Sequence, residues 1–148
     1  MMRPPHILLV EAPFYPHITQ ALRRGAERAL AAAGATFEAV SVTGAFEVPA
    51  AIAFAARASG RFDGFVALAC VIRGETTHYD YVCAESARAL MDLACREKIA
   101  LGYGILTVEN GKQAWARAGV ADKNKGGDAA RACLAMIALR RRFALPAR

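Results

Sequence analysis

The residues of this chain that are best suited to chemistry stand in one short segment, 73–78, with the sequence RGETTH. The segment offers a guanidinium, a flexible glycine, two hydroxyls and an imidazole, and an imidazole can move protons near neutral pH. The apolar run 65–72 before it is typical of a buried strand, and apolar residues recur at helical spacing after Cys83. We therefore predict a strand-to-helix turn, the place where open α/β sheets bind ligands. The free N–H groups at the start of the helix would suit phosphate.

The elements that must position this turn alternate along the chain. Strand patterns cover residues 6–10, 37–42, 65–72 and 101–108. Helix patterns cover 16–34, 49–58 (closed by Ser59 and Gly60), the stretch after His78, 113–118 and a segment that begins near 125 or 128. Such alternation predicts right-handed βαβ units. The predicted fold class is α/β and flavodoxin-like, a three-layer αβα sandwich around a four-stranded parallel sheet. Because all connections are short, residues 1–148 are predicted to form a single domain.

The last helical segment carries an apolar stripe at helical spacing, which predicts its buried face. The stripe consists of Ala129, Ala132, Cys133, Met136 and Ile137.

Composition excludes several classes of function. The 148 residues are 55% hydrophobic and carry a net charge of +6, and this apolar excess favours burial against other subunits. The basic residues lack interleaved aromatic residues, so no nucleic-acid partner is expected. No signal peptide or membrane-length apolar run is recognisable, so neither secretion nor a membrane partner is expected. The four cysteines contain no C-x-x-C pair, which predicts reduced, mostly buried thiols in a cytoplasmic protein and no metal site.

Four loops follow the four predicted strands, and in a parallel sheet they all emerge at one edge. They carry Phe14 and Tyr15, the segment 44–47 (GAFE), the segment 73–78, and the group Thr107, Glu109 and Asn110. An aromatic ring, a carboxylate, hydroxyls and a histidine should therefore converge. Together they could stack a planar heterocycle, bind a polyol and hold an anion.

Each of these residues also has a purely structural interpretation. Phe14 could staple the start of a helix, and Glu47 could be a first-turn carboxylate that the helix dipole stabilises. Thr76 or Thr77 could be a helix cap. His78 could be structural or solvated. The functional interpretation gains weight only because all of them are predicted at the same edge.

The same residues resemble those of a known family. The matching segments are Phe14, 44–49 (GAFEVP), 71–78 (VIRGETTH), 104–110 (GILTVEN) and 124–127 (NKGG). They resemble lumazine synthases, the enzymes of the penultimate step of riboflavin biosynthesis. The resemblance covers nearly the whole chain in the family's order, and the motif around His78 is highly specific.

The resemblance implies an activity. Lumazine synthases condense 5-amino-6-ribitylamino-uracil with 3,4-dihydroxy-2-butanone 4-phosphate and release 6,7-dimethyl-8-ribityllumazine, phosphate and water, with no metal or organic cofactor. The steps need positioned reactants, proton transfer and a stabilised leaving anion. Two alternatives stay open at this point. One is a non-catalytic oligomer that binds flavin or lumazine, and the other is a riboflavin synthase of related fold.

The resemblance also implies site residues. The catalytic residues would be His78, which shuttles protons, and Arg117, which binds phosphate. Substrate would be bound by Phe14, Ala45, Phe46, Glu47, Val71, Ile72, Arg73, Tyr103 and Lys125. The phosphate would lie against Gly74, Glu75, Thr76 and Arg117. Phe14 would stack on the pyrimidine, residues 45–47 would hold the ribityl chain, and residues 71–72 would contact the heterocycle through the backbone.

In the family these sites lie between subunits of a homo-oligomer, so Tyr103, Arg117 and Lys125 would come from the adjacent chain. Family members form pentamers, and some pack twelve pentamers into an icosahedral shell. Shell formers tend to have a glycine in the stretch that here is Val120–Asn124. Its absence favours a free pentamer over a shell, and a decamer stays open as a further alternative.

Three positions depart from the family pattern. Tyr103 stands where many members have phenylalanine, and Ala116 where many have an acidic residue, which could slow turnover. Glu75 stands where a small residue is common. Its side chain is therefore expected to point away from the phosphate, while its backbone N–H donates to the phosphate.

Overall fold

The computed structural model describes residues 3–58 and 60–146. Four parallel strands form its sheet in the order β2-β1-β3-β4, which confirms the predicted α/β class. The strands are β1 (His6–Ala12), β2 (Thr36–Ser41), β3 (Gly64–Ile72) and β4 (Ala100–Val108). The helices are α1 (Pro16–Ala32), α2 (Val48–Arg57), α3 (His78–Arg96), α4 (Gly111–Ala118) and α5 (Lys125–Arg142). Ser59, which was predicted to close the second helix together with Gly60, lies outside the described residues.

Helices cover both faces of the sheet, which gives three layers. Alternate residues of the strands point to opposite faces. On one face, Leu9 and Val66 pack with the apolar sides of α1, α4 and α5. On the other face, Leu8 and Phe65 pack with α2 and α3. Because both faces are buried, β3 reads in the sequence as one continuous apolar run.

The strand order explains where a cavity can form. After β1 the chain passes to β2 on one side, whereas after β3 it passes to β4 on the other side. The loops after β1 and β3 therefore diverge, and they leave a crevice at the carboxyl ends of these two strands.

Side-chain caps set the starts of the last two helices. The Asn110 side chain accepts a hydrogen bond from the N–H of Gln113, and α4 begins at Gly111, two residues before the predicted start. The Asn124 side chain accepts from the N–H of Gly127, which fixes the start of α5 at Lys125. Asparagine is among the preferred residues at this position because its oxygen satisfies a free backbone donor.

Close backbone approach on the α1/α5 side depends on two glycines. A Cβ added to Gly126 would collide with the backbone carbonyl of Leu22 on α1. A Cβ on Gly102 of β4 would collide with the carbonyl of Ala129 on α5. Glycine at both positions lets α5 lie directly against α1 and β4.

Two expectations about burial need correction. In the α5 stripe, Ala129, Cys133 and Ile137 are buried, but Ala132 and Met136 are exposed. The buried face of α5 is therefore rotated about the helix axis, away from the predicted stripe and towards Gly126 and Gly127. Of the cysteines, Cys70 and Cys133 are buried but Cys95 is exposed.

No helix in the described ranges has both the length and the apolarity that a bilayer span requires.

Candidate active site

A cavity of about 470 Å³ lies at the carboxyl edge of the sheet. The loop after β1 contributes Phe14 and Tyr15 to its lining. The loop after β2 contributes the residues Thr43, Gly44, Ala45, Phe46 and Glu47. The end of β3 and the turn into α3 contribute the rest, which are Cys70, Val71, Ile72, Gly74, Thr76, His78, Tyr79 and Val82. Three of the four predicted loops therefore converge on one space.

The aromatic wall of the cavity comes from the loop after β1. The N–H of Phe14 donates to the carbonyl of Ala12 at 2.9 Å, which closes a tight turn. The Phe14 ring meets the ring of Tyr15 edge-on, with centroids 5.0 Å apart. Phe14 is nevertheless 68% exposed. A large apolar ring that is held by a turn and left open to solvent is suited to stacking on a planar ligand.

The loop after β2 presents a carboxylate that has no hydrogen-bond or ion-pair partner among the described residues. Residues Ala45–Glu47 form a 3₁₀ turn, with Ala45 buried and Phe46 exposed. Glu47 directly precedes α2, but its side chain makes no capping hydrogen bond. The carboxylate lies beside Gly44, where a Cβ would be 3.2 Å from Glu47 Oε1. Its place at the start of α2 agrees with stabilisation by the helix dipole, and the lack of a capping bond leaves the carboxylate available to accept hydrogen bonds from hydroxyls.

The turn between β3 and α3 forms one side of the cavity. His78 is the first residue of this helix of 19 residues, and it is exposed. Its N–H donates to Thr76 Oγ1 at 3.3 Å, which closes a two-residue turn ahead of the helix. Thr77 holds the N-cap position, but its side chain makes no capping hydrogen bond. Gly74 and Thr76 line the cavity, whereas Glu75 does not. A helix N-terminus next to a glycine and a hydroxyl is a suitable environment for an anion.

Burial controls the ionisation of the groups around the cavity floor. It raises the pKa of the Cys70 thiol to about 11, so Cys70 carries almost no thiolate at neutral pH and is a poor nucleophile. Burial also raises the pKa of Tyr79, with a smaller contribution from the nearby Cys83. Its phenol therefore stays protonated. Among the described residues, no group of His, Cys, Asp and Glu could hold a metal ion.

Several predicted site residues lie outside this cavity. Arg73 follows β3 directly, but its Nε donates to Glu109 at 2.6 Å, away from the lining. Tyr103 stands on β4 at the edge of the sheet, on the side covered by α2 and α3, and is 44% exposed. Arg117 belongs to α4 and donates to the carbonyl of Gln113 at 3.1 Å. Lys125 begins α5 and pairs with Asp128 at 3.4 Å.

Six residues line the cavity that were not among the predicted site residues. Tyr15 and Gly44 stand in loops that were predicted to converge, and the others are Thr43, Cys70, Tyr79 and Val82. Helical spacing could have identified Tyr79 and Val82, because residues three apart share a face of α3. Cys70 stands on the other side of β3 from Val71 by strand alternation, so no pattern in the sequence indicated it.

Comparison with known proteins agrees with this geometry. The sequence model of 6,7-dimethyl-8-ribityllumazine synthase matches residues 4–141. A protein of that name from Bartonella tribocorum is 56% identical over 143 residues, which cover 97% of this chain and 95% of the relative. The chain belongs to the lumazine synthase family. Membership implies small-molecule substrates and a homo-oligomeric assembly.

Two further relatives support the same assignment. The 6,7-dimethyl-8-ribityllumazine synthase 1 of Rhizobium meliloti is 58% identical over 146 residues, which cover 96% of this chain and 95% of the relative. The 6,7-dimethyl-8-ribityllumazine synthase of Agrobacterium fabrum is 55% identical over 146 residues, covering 96% of this chain and 99% of the relative. None of the three relatives is named as a riboflavin synthase or as a flavin carrier.

Proposed function

We propose that this chain condenses 5-amino-6-ribitylamino-uracil with 3,4-dihydroxy-2-butanone 4-phosphate to give 6,7-dimethyl-8-ribityllumazine, phosphate and water. The observation that carries the proposal is the cavity, which combines an open aromatic ring, a carboxylate that makes no capping hydrogen bond and a histidine at a helix N-terminus. These three groups match a planar pyrimidine, a ribityl chain and a phosphate-bearing ketone. The reaction needs no oxidant and no metal, so we propose that it runs without a cofactor.

The pyrimidine substrate is placed by two of the loops. Phe14 stacks on the heterocycle, and the backbone of Val71 and Ile72 contacts its edge. Ala45 and Phe46 pack along the ribityl chain, and Glu47 accepts a hydrogen bond from one of its hydroxyls. Support comes from the exposure of Phe14 and from the absence of a capping bond to Glu47. Aromatic stacking on a base contributes about 1–3 kcal/mol.

The phosphate of the second substrate lies against the turn between β3 and α3. Gly74, the N–H of Glu75 and the Thr76 hydroxyl surround it, close to the positive end of the α3 dipole. The Glu75 carboxylate stays outside, in agreement with its absence from the cavity lining. These donors stabilise the negative charge that develops as phosphate leaves.

His78 moves the protons of the reaction. Imine formation releases a proton from the attacking amine, and loss of phosphate and ring closure each require a proton to be taken up or returned. The exposed ring of His78 at the cavity wall is in reach of solvent. An imidazole can give up a proton in one step and take one up in the next, so His78 can serve as both acid and base.

The remaining residues come from a neighbouring subunit. Tyr103, Arg117 and Lys125 stand on β4, α4 and α5 and do not line the cavity of their own chain. We propose that a cytoplasmic pentamer, each subunit a single domain, brings Arg117 of one chain to the phosphate in the next. A guanidinium fork fits a phosphate well. Ala116 precedes Arg117 without the acidic side chain common in the family, and this lowers turnover.

An activity measurement tests the proposal. Purified protein at micromolar concentration is mixed with both substrates, and the absorbance and fluorescence of the lumazine are followed. The expected rate lies well above that of the spontaneous condensation. A rate equal to the spontaneous one, in a preparation with the mass of an oligomer, would reject the assignment.

A further inference from the structure

The guanidinium of Arg73 joins three structural elements next to the cavity. Its Nε donates to Glu109 Oε2 at 2.6 Å, in the turn between β4 and α4. Its Nη1 donates to Asp80 Oδ1 at 3.3 Å, in the first turn of α3. The backbone N–H of Arg73 donates to the carbonyl of Val108 at 3.0 Å. Side chain and backbone together hold the turn after β3 against the end of β4.

The pair of Arg73 with Asp80 also closes a loop. Residues 73 and 80 stand at the two ends of the turn that carries Gly74, Thr76 and His78, so their pairing fixes the width of that turn. The same guanidinium lies over the ring of Tyr79, with Cζ 4.4 Å from the centroid. Tyr79 lines the cavity, so the cation packs behind one of its walls.

We propose that Arg73 is a positioning residue that clamps the phosphate turn and the Tyr79 ring to the start of α4, and that it does not contact the substrate. The inference rests on the proposed function, because it concerns the site of that reaction. It replaces the substrate-binding role that the family resemblance implied for Arg73. α4 also carries Arg117, so the clamp connects the phosphate turn of one site with the helix that completes the next.

A purely structural role would have a different signature. Ion pairs at this degree of exposure contribute only about 0–1 kcal/mol to stability, and Arg73 is 42% exposed beside Glu109 at 55%. A shift of about 1 Å in a reacting group, in contrast, can cost about 100-fold in rate. The clamp therefore predicts a large kinetic effect together with a small change in melting temperature.

The test compares Arg73→Gln, Glu109→Gln and the double variant with the wild type. Both single variants should raise KM for the butanone phosphate and lower kcat/KM by about 10- to 100-fold, with little change in KM for the pyrimidine. The kcat/KM of the double variant should not fall below that of Arg73→Gln, because both single substitutions remove the same contact between Arg73 and Glu109. Arg88→Gln is the matched control, since Arg88 bridges Glu85 and Asp92 on the outer face of α3.

Hydrogen exchange of the peptide 73–80 gives a readout that does not depend on activity. Exchange should be faster in Arg73→Gln and Glu109→Gln, unchanged in Arg88→Gln, and partly restored in Arg73→Lys, which keeps one charge but not the fork. Unchanged exchange would overturn the clamp, even if the wild type makes no lumazine and the proposed function fails separately. Normal kinetics for Glu109→Gln beside an impaired Arg73→Gln would overturn it in favour of direct substrate contact.

Discussion

Removal of the Phe14 ring should weaken ligand binding while the fold survives. A fully buried phenylalanine costs about 3–5 kcal/mol when it is cut back to alanine. Phe14 is 68% exposed, so about a third of that cost, roughly 1–2 kcal/mol, is expected for Phe14→Ala. The lost stack on the pyrimidine is worth about 1–3 kcal/mol, which corresponds to roughly 5- to 150-fold in affinity.

Phe143→Ala provides a matched control. Phe143 follows α5, is 66% exposed and does not line the cavity. The two variants should lose similar stability in urea unfolding, provided that solution mass shows the same assembly for both. Titration with the product lumazine, followed by its fluorescence, should show weaker binding for Phe14→Ala alone. The KM for the pyrimidine substrate should rise by the same factor.

The stacking argument would be refuted by equal affinities. If Phe14→Ala binds the lumazine as tightly as Phe143→Ala does, the ring is a helix staple and not a ligand wall. A loss of affinity that only accompanies a changed solution mass would point to assembly, and would equally remove the support for stacking.

Three further outcomes are expected. His78→Ala should lower kcat by roughly 10- to 10⁴-fold and leave lumazine affinity nearly unchanged; a rate like that of the wild type in stopped-flow absorbance would remove the proton-transfer role. Gly102→Ala should destabilise the protein by about 1–3 kcal/mol in urea unfolding, because the new Cβ meets the carbonyl of Ala129, whereas Gly111→Ala, with open space around it, should not. Burial raises the pKa of the Cys133 thiol from 9.0 to about 12. Above pH 9 the unfolded chain therefore loses a proton that the folded chain keeps, and the free energy of unfolding should fall by up to about 1.4 kcal/mol per pH unit. The slope of the wild type above pH 9 should exceed that of Cys133→Ala by this amount; the same slope in both proteins would contradict the assignment.

Much of the fold could be predicted because its signals are local. A continuous apolar run such as 65–72 requires cover on both faces, and alternation with helical patterns leaves few arrangements besides a parallel sheet. Element ends were less predictable. The start of α4 depends on one side-chain hydrogen bond from Asn110, and periodicity contains no information about it.

The candidate site was predictable to the extent that it follows from strand order. Loops after parallel strands must share an edge, so Phe14, Glu47 and His78 could be placed together. The direction of a side chain within such a loop is set by its nearest charged partners, and these come from elsewhere in the chain. Arg73 is an example, since Glu109 stands 36 residues away in the sequence.

The central claim is that one chain supplies His78 and its neighbour supplies Arg117 to the same reaction. The direct measurement is the activity of mixed oligomers assembled from His78→Ala and Arg117→Ala chains, each nearly inactive alone. With random assembly in a ring, about a quarter of the sites would contain both native residues, so activity should recover to about a quarter of the wild-type rate. Mixed oligomers that form but stay as inactive as their parents would contradict the account.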